Sequence, residues 1–163
     1  MIIEKEDKMQ ETICVSDNSD NPVFFYEKEF YIFSNFSSFK LYWDKKDFDT
    51  SEAAYQYEKY KISCYPIAET ILKARSAHEA YKIAQVNKDF QDPDWDDIKL
   101  GIMFNIISAK VAQHKYVYKK LLETGNREII EDSWRDDYWG WGPNKDGKNM
   151  LGKLWMKLRY KLQ

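Results

Sequence analysis

Apolar residues recur at helical spacing in the second half of the chain. From Trp95 to Val111, apolar positions follow one another in a pattern typical of the buried face of a helix. The dipeptide Asp92-Pro93 stands just before this stretch and is a typical helix start. The pattern therefore predicts a long central helix. The residues that define its apolar face are Trp95, Ile98, Ile102, Met103, Ile106 and Val111.

Capping residues predict further helices. An acid three residues after a capping side chain occurs at Asp49–Glu52 and at Ser76–Glu79, and this spacing is typical of a capping box. We therefore expect one helix from Asp49 to about Ser63 and another after Ser76. Pro66 favours the first turn of a helix between them. Two more helices are predicted near the C-terminus. They run from about Lys115 to Glu123, and from Asn149, which can cap the last helix.

Four short stretches favour strands. Val23–Tyr26 is an apolar run, and Glu128–Glu131 is a second candidate. Phe36–Trp43 and Asp47–Asp49 flank the polar turn Asp44–Lys46, which predicts a hairpin. The fold class predicted is α+β, mainly α-helical, with one domain and a small sheet or hairpin. We expect a flexible lead-in over residues 1–22 and a folded domain over residues 23–163.

Composition and charge narrow the class of protein. The chain has 163 residues, 44% of them hydrophobic, which suits one folded domain. The net charge is −2, which argues against a protein bound to bulk DNA. Two cysteines and two histidines do not favour a disulfide framework, a zinc site or a Ser-His-Asp triad. We therefore expect no cofactor, no metal, no membrane association and a cytoplasmic location.

Aromatic residues make up 17% of the chain, and several stand in loops beside Gly, Asn or Asp. Core packing explains such loop positions poorly, whereas a flat ligand that stacks on rings explains them well. Four stretches combine rings with polar groups: Phe33–Phe36, Thr50–Gln56, Asp94-Trp95, and Asp136–Gly142 followed by Gly147–Gly152. These stretches are the candidate sites of chemistry.

Taken in order, the four stretches resemble the YbiA-like family, also called the NADAR family for a proposed link to NAD and ADP-ribose. The similarity runs from about Phe25 to Leu162. The order and spacing of the motifs over a whole domain carry the resemblance. The motifs are Phe33-Ser34-Asn35-Phe36, Thr50-Ser51-Glu52, Tyr55-Gln56, Trp95, Tyr138-Trp139-Gly140 and Asn149-Met150-Leu151-Gly152.

The resemblance implies that the chain is an N-glycosidase, because members of the family cleave ribose–nitrogen bonds. Two substrate types follow from it: phosphoribosylamino-pyrimidine intermediates of riboflavin biosynthesis, or ADP-ribose attached to a nucleobase such as guanine. The partner would be a small molecule of the ribose-phosphate or ADP-ribose type, and an ADP-ribosylated nucleic acid is a further candidate. A non-catalytic module that binds ADP-ribose or a nucleotide is the alternative function.

The resemblance also implies which residues act. The predicted catalytic residues are Glu52 and Asp136, and Asp137 remains an alternative to Asp136. A carboxylate can stabilise the positive charge on the sugar ring or accept a proton from water. Glu52 also has a second interpretation, as the acid of the capping box. The predicted substrate-binding residues are Asn35, Lys82, Trp95, Tyr138, Trp139, Lys148 and Asn149.

The sequence departs from the family at two points. Ala84-Gln85 stands where a Gly-Arg pair tends to follow the binding lysine, which corresponds to Lys82. The change removes an arginine that could donate to a phosphate. Glu58 stands where the family often has a second glutamine.

Overall fold

A computed structural model describes residues 20–26 and 28–163. The predicted flexible lead-in falls mostly on residues 1–19, which lie outside this range, so the division of the chain at residue 22 stays a prediction. No helix among the described residues combines the length and apolar character needed to cross a bilayer.

Six α-helices dominate the described part of the chain, and they confirm the predicted α+β, mainly helical class. They are α1 (Ser51–Glu58), α2 (Tyr65–Leu72), α3 (Ala77–Val86), α4 (Trp95–Gln113), α5 (Lys115–Glu123) and α6 (Met150–Leu162). Two 3-10 segments, Lys28–Phe33 with a kink at Phe30 and Lys88–Phe90, connect regular elements.

Four short strands form two separate sheets, where the sequence predicted one. The strands are β1 (Val23–Phe25), β2 (Leu41–Trp43), β3 (Lys46–Phe48) and β4 (Ile129–Glu131). β2 and β3 form the predicted antiparallel hairpin, with Trp43 opposite Lys46. The loop residues Asp44 and Lys45 have φ values of 48° and 61°, which suits the tight turn of a two-residue hairpin.

The second sheet joins strands that are far apart in the sequence. β1 pairs with β4 in parallel, and Val23 lies opposite Ile129. Residues so far apart in sequence share no local pattern, so the sequence predicted both strands but not their pairing. α6 packs against β4 and α4. The sheet, α4 and α6 therefore enclose the same core.

The start of α1 differs from the prediction. Thr50, not Asp49, is the N-cap, and its hydroxyl accepts the N–H of Ala53 at 3.2 Å. The capping-box position therefore falls on Ala53. The helix also ends at Glu58 rather than near Ser63. At α3 the predicted cap is present, because the Ser76 hydroxyl accepts the N–H of Glu79 at 3.1 Å.

The core lies between α1, α4, α6 and the β1–β4 pair. Trp155 of α6 is completely buried, and its Nε1 donates to the carbonyl of Phe33 at 3.0 Å. Most of the predicted apolar face of α4 is buried with it, but Ile98 is exposed and Ile102 is half-buried. Lys110, which the apolar pattern left out, also lies in the core.

Candidate active site

Glu52 lies in the first turn of α1, and its side chain is nearly buried, with 6% of its surface exposed. Its backbone N–H donates to the carbonyl of Asn35 at 3.0 Å. Its Oε1 accepts a hydrogen bond from Gln56, one helical turn later, at 2.6 Å. Because Thr50 caps the helix, the capping-box interpretation of Glu52 is wrong. The carboxylate is oriented by Gln56 instead.

The turn that meets α1 is held by a buried lysine. Lys110 Nζ donates to the carbonyls of Ile32 and Ser34 at 2.6 and 3.0 Å, and to the Ser37 hydroxyl at 2.8 Å. An ammonium group has three donors, and all three are used here. Lys110 therefore fixes the turn over residues 32–37, which presents Asn35 to Glu52.

Asp136 is positioned by the loop before Tyr138. Its Oδ1 accepts the N–H groups of Tyr138 and Trp139 at 2.8 and 2.7 Å. Gly140 allows this loop to fold tightly, because a Cβ there would lie 2.8 Å from the Cβ of Ser133. The neighbouring acid Asp137 is exposed. The local geometry thus favours Asp136 over Asp137 as the second acid, and its catalytic role stays a prediction.

The surroundings of Glu52 change its chemistry. Burial raises the pKa of Glu52, and the nearby charge of Asp136 raises it further. The hydrogen bond from Gln56 and the positive charge of Lys59 lower it. Burial lowers the pKa of Lys59, and Glu52 opposes that change. Glu52 therefore lies near the negative charge of Asp136 and near the partly desolvated ammonium group of Lys59.

Lys59 was missed by the sequence interpretation. Its Nζ lies 5.1 Å from the centre of the Tyr55 ring and 5.7 Å from that of Trp95, which is close enough for cation–π attraction. The spacing to Glu52, seven residues along the chain, was the available signal. Seven residues are about two helical turns, so this spacing places Glu52 and Lys59 on the same face if the helical path continues past Glu58.

Glu131, the last residue of β4, was also missed. It belongs to the same acidic group, because its pKa is raised to about 8 by burial first and then by Asp136 and Glu52. In the sequence it ends a short strand and resembles a surface residue. No group of three or more His, Cys, Asp or Glu side chains in the described ranges is arranged to hold a metal ion.

Aromatic rings pack beside the acids. Tyr55 makes T-shaped contacts with Trp95 and Trp139, at centroid distances of 5.1 and 5.7 Å. Trp139 makes a third such contact with Tyr138 at 5.1 Å. Trp95 is 3% exposed, so its observed role is packing. The half-buried rings of Tyr138 and Trp139 are more accessible, and stacking of a base on any of these rings stays a prediction.

A cavity of about 620 Å³ opens next to the acidic group. Glu131 and Asp136 supply its negative side, and Lys28 and Arg135 place cationic side chains in its lining. Its aromatic lining consists of Tyr26, Tyr31, Phe36 and Tyr81. Such a lining combines groups for a phosphate, a flat base and a sugar in one space.

Of the predicted site residues, Asp136 lines the cavity directly. Asn35 lies behind the wall, between the lining residues Ser34 and Phe36, and is 6% exposed. Its amide nitrogen contacts the sulfur of Met103 at 3.3 Å. Glu52 is joined to this wall through the carbonyl of Asn35. The predicted acids thus converge on one region, although they are far apart in sequence.

The predicted basic residues lie at the surface. Lys82 is exposed and lines a groove that shares His78 with the cavity. Lys148 lies elsewhere, with its Nζ 5.4 Å from the centre of the Tyr138 ring, and Lys99 lies 4.3 Å from the same ring. Phosphate binding by Lys82 and Lys148 stays a prediction.

Asn149 has a structural role. It occupies the N-cap position of α6, as predicted, with a left-handed φ of 50°, but its side chain makes no capping bond. Its Oδ1 accepts the N–H of Glu131 at 3.0 Å, and its Nδ2 donates to Ile129 at 2.9 Å. Asn149 therefore fixes β4 and the position of Glu131. A contact with substrate stays a prediction.

Sequence comparisons identify relatives over most of the chain. N-glycosidase YbiA of Escherichia coli is 34% identical over 133 residues, covering 80% of each protein. An N-glycosidase of Nostoc punctiforme is 31% identical over 144 residues, covering 86% of this chain and 92% of the relative. A riboflavin biosynthesis protein of Vibrio vulnificus is 30% identical over 146 residues, and the match spans 88% of this chain but 39% of that longer protein.

The fold comparison agrees with the sequence comparison. The NMR structure of Escherichia coli YbiA superimposes with a TM-score of 0.78 at 32% identity, covering 88% of this chain and 85% of that one. The family model described as the NADAR domain matches residues 24–163. Because that match includes the helix-start acid, the Tyr-Trp-Gly loop and the last helix, the chain belongs to the NADAR domain family.

Proposed function

We propose that this protein is an N-glycosidase, a hydrolase that cleaves the bond between a ribose carbon and a nitrogen. The observation that carries the proposal is the buried Glu52 carboxylate, which Gln56 orients and which lies close to Asp136, a residue that lines the cavity. The names of the relatives support the reaction class, since YbiA and the Nostoc protein are N-glycosidases.

The chemistry explains why a carboxylate is needed. As the ribose–nitrogen bond breaks, positive charge develops on the sugar ring. The Glu52 carboxylate stabilises this charge and accepts a proton from the attacking water. Asp136, held by two backbone N–H groups, binds the ribose hydroxyls from the cavity wall.

The substrate is a ribose phosphate or an ADP-ribose derivative. The cationic side chains of Lys28 and Arg135 suit a phosphate, and the aromatic lining suits a base. A riboflavin biosynthesis protein among the relatives favours phosphoribosylamino-pyrimidine intermediates. The cavity of about 620 Å³ also favours a larger ligand, ADP-ribose attached to guanine, free or on a nucleic acid. A cytoplasmic location remains an expectation from the sequence.

A non-catalytic module that binds ADP-ribose is the second candidate. The aromatic rings and cations of the cavity would serve binding alone. The neighbouring carboxylates of Glu52 and Asp136 would not, because negative charge repels the phosphates of such a ligand. Their presence favours an enzyme that must stabilise positive charge.

The test is direct. The protein is incubated with the phosphoribosylamino-pyrimidine intermediates and, separately, with ADP-ribosylated guanosine, and released sugar phosphate is followed by mass spectrometry. We expect release from one of the two, abolished by Glu52→Gln. Binding without release from either substrate would instead favour the non-catalytic module.

A further inference from the structure

Glu131 lines the cavity, and one of its carboxyl oxygens has no hydrogen-bonding partner among the described residues. That oxygen, Oε2, is buried. Its backbone, by contrast, is fixed on both sides. Its N–H donates to Asn149, and its carbonyl accepts the N–H of Trp141 at 3.1 Å. The backbone of Glu131 is thus held while one carboxyl oxygen is left unsatisfied, and a water or a bound ligand would satisfy it.

Other unsatisfied groups adjoin the same acids. The buried side-chain atoms without a partner, among residues 20–26 and 28–163, are Asn35 Oδ1, Ser51 Oγ, Gln56 Oε1 and Glu131 Oε2. Ser51 precedes Glu52 in sequence, and Asn35 and Gln56 are both hydrogen-bonded to Glu52. Polar groups without a partner in a folded core need one from outside the chain, such as a water or a polar ligand.

Glu52 and Glu131 differ in the groups that surround their carboxyl groups. Glu52 accepts a hydrogen bond from Gln56 and faces the charge of Lys59, and both favour its ionised form. Glu131 has neither, and the negative charges of Asp136 and Glu52 act on it. Burial raises the pKa of both side chains, so the contacts distinguish them. Gln56 donates a hydrogen bond to Glu52, whereas Glu131 Oε2 has no donor among the described residues, so the Glu131 anion is the one without a stabilising hydrogen bond at that oxygen.

We propose that Glu131 is a further catalytic residue, the general acid that protonates the leaving nitrogen, while Glu52 serves as the base. This role rests on the proposed N-glycosidase function. In the reaction the carbon–nitrogen bond breaks and its electron pair stays on nitrogen, which takes the proton of Glu131. Water forms the new carbon–oxygen bond and gives its proton to Glu52. Glu52 then releases its proton to solvent and Glu131 takes one up, which restores the base and the acid.

Other ionisable groups also face this cavity and would contribute to its pH dependence. Besides Glu131 and Asp136 they are Tyr26, Lys28, Tyr31, His78, Tyr81 and Arg135, with Glu52 and Lys59 behind the wall. A variant of Glu131 alone therefore has to be compared with wild type over the whole pH range.

The experiment compares Glu131→Gln with Glu128→Gln. Glu128 is exposed and lies just before the same strand, so it is a matched control. A general acid must be protonated, so wild-type kcat/KM should fall as pH rises through about 8. In Glu131→Gln we expect kcat to fall about a hundredfold to ten-thousandfold, KM to change little, and the alkaline decline to disappear. Glu128→Gln should behave as wild type.

The outcomes separate this proposal from the function on which it rests. If wild type releases sugar phosphate from neither substrate, the N-glycosidase function fails. If wild type is active and Glu131→Gln keeps its rate and its alkaline decline, Glu131 is not the acid. Infrared spectra give a second measurement. A protonated carboxyl band that wild type loses as pH rises through about 8, and that Glu131→Gln lacks, supports the proposal, whereas no such band, or a band that persists in Glu131→Gln, overturns it.

Discussion

At the scale of single residues, the chemistry of the site depends on which groups reach each carboxylate. Glu52 and Glu131 are both glutamates near the same cavity, but Glu52 has Gln56 and Lys59 beside it. Glu131 is affected by burial and by two other acids. The same side chain is therefore suited to accept a proton in one place and to hold one in the other.

Glu52→Gln should separate catalysis from folding. Gln fills the same space and can still accept the bond from Gln56, so we expect near-native stability and unchanged binding of ADP-ribose or ribose 5-phosphate. Because Gln cannot accept a proton, turnover should fall about a hundredfold to ten-thousandfold. The rate is measured by release of sugar phosphate, and stability by urea unfolding.

Glu58→Gln is a control for this change on the same helix. Glu58 is also buried, but it bonds Trp43 Nε1 at 2.6 Å and Lys61 Nζ at 3.0 Å, outside the acidic group. Losing the negative charge of Glu58 should weaken these two bonds and lower the free energy of unfolding, while turnover should stay unchanged. An active Glu52→Gln variant would contradict the assignment and shift attention to Asp136.

Glu131 should make stability depend on pH. Its pKa is about 8 in the folded chain, against an ordinary value of 4.5, so between these values the native state holds a proton that the unfolded state has lost. The stability that Glu131 contributes should therefore be fully present below about pH 4.5 and be lost as pH rises to about 8. The loss should be at most about 1.4 kcal/mol for each pH unit in that range. Glu131→Gln should remove this part of the slope.

The measurement is the free energy of unfolding in urea at several pH values between 4.5 and 8.5, for wild type and Glu131→Gln. The difference between the two curves isolates Glu131 from other groups. Lys110 is one of these, since burial lowers its pKa to about 7 and gives stability a rise above that pH. Parallel curves for the two proteins would contradict a raised pKa at Glu131.

At the scale of elements, the turn over residues 32–37 and the start of α1 are built as a unit. Lys110 of α4 holds the turn, and the turn supplies the carbonyl that satisfies the N–H of Glu52. The first N–H groups of a helix need acceptors from outside the helix. Thr50 and Asn35 provide them here, so Glu52 is left free to bond Gln56.

Lys110→Met should weaken this unit. The change removes three hydrogen bonds from buried oxygens, so we expect a loss of about 1–3 kcal/mol in the free energy of unfolding. A looser turn should also lower turnover, because Asn35 and Glu52 shift with it. Urea unfolding and sugar-phosphate release measure both effects.

Lys153→Met provides the matched control, because Lys153 is exposed on α6. It should leave both stability and turnover near wild type. If Lys110→Met behaves like this control, the buried ammonium group does not hold the turn.

At the scale of the whole molecule, the last helix and the β1–β4 pair bring the two ends of the described chain together. Gly152 allows α6 to approach β4, because a Cβ at this position would collide with the carbonyl oxygen of Ile129. Asn149 bonds the same strand from the start of the helix. This junction places Glu131 at the cavity, so packing and chemistry depend on the same contact.

Gly152→Ala should therefore destabilise the protein by about 3 kcal/mol or more, since backbone rather than a flexible side chain blocks the added methyl group. Gly101→Ala is the matched control in α4, where a Cβ meets no atom within 4 Å. It should stabilise the protein by about 0.5–1 kcal/mol, because alanine favours a helix. Thermal unfolding of both variants measures the difference, and equal melting temperatures would contradict a close approach at Gly152.

The sequence by itself determined the features that depend on near neighbours. The helical spacing of apolar residues predicted α4, and the capping residue Ser76 predicted the start of α3. The polar turn around Asp44 predicted the hairpin. Each of these signals arises within a few residues and needs no distant contact. The order of motifs along the chain was enough to indicate the family, which the comparisons then confirmed.

The tertiary structure decided what depends on distant groups. The parallel pairing of β1 with β4 joins strands that are far apart in the sequence. Thr50, rather than Asp49, caps α1, and the N–H of Glu52 donates instead to the distant carbonyl of Asn35. The raised pKa of Glu131 needs burial by the whole fold and the charges of Glu52 and Asp136. Burial and charge act through space, so the sequence could supply these acids but not the environment that tells them apart.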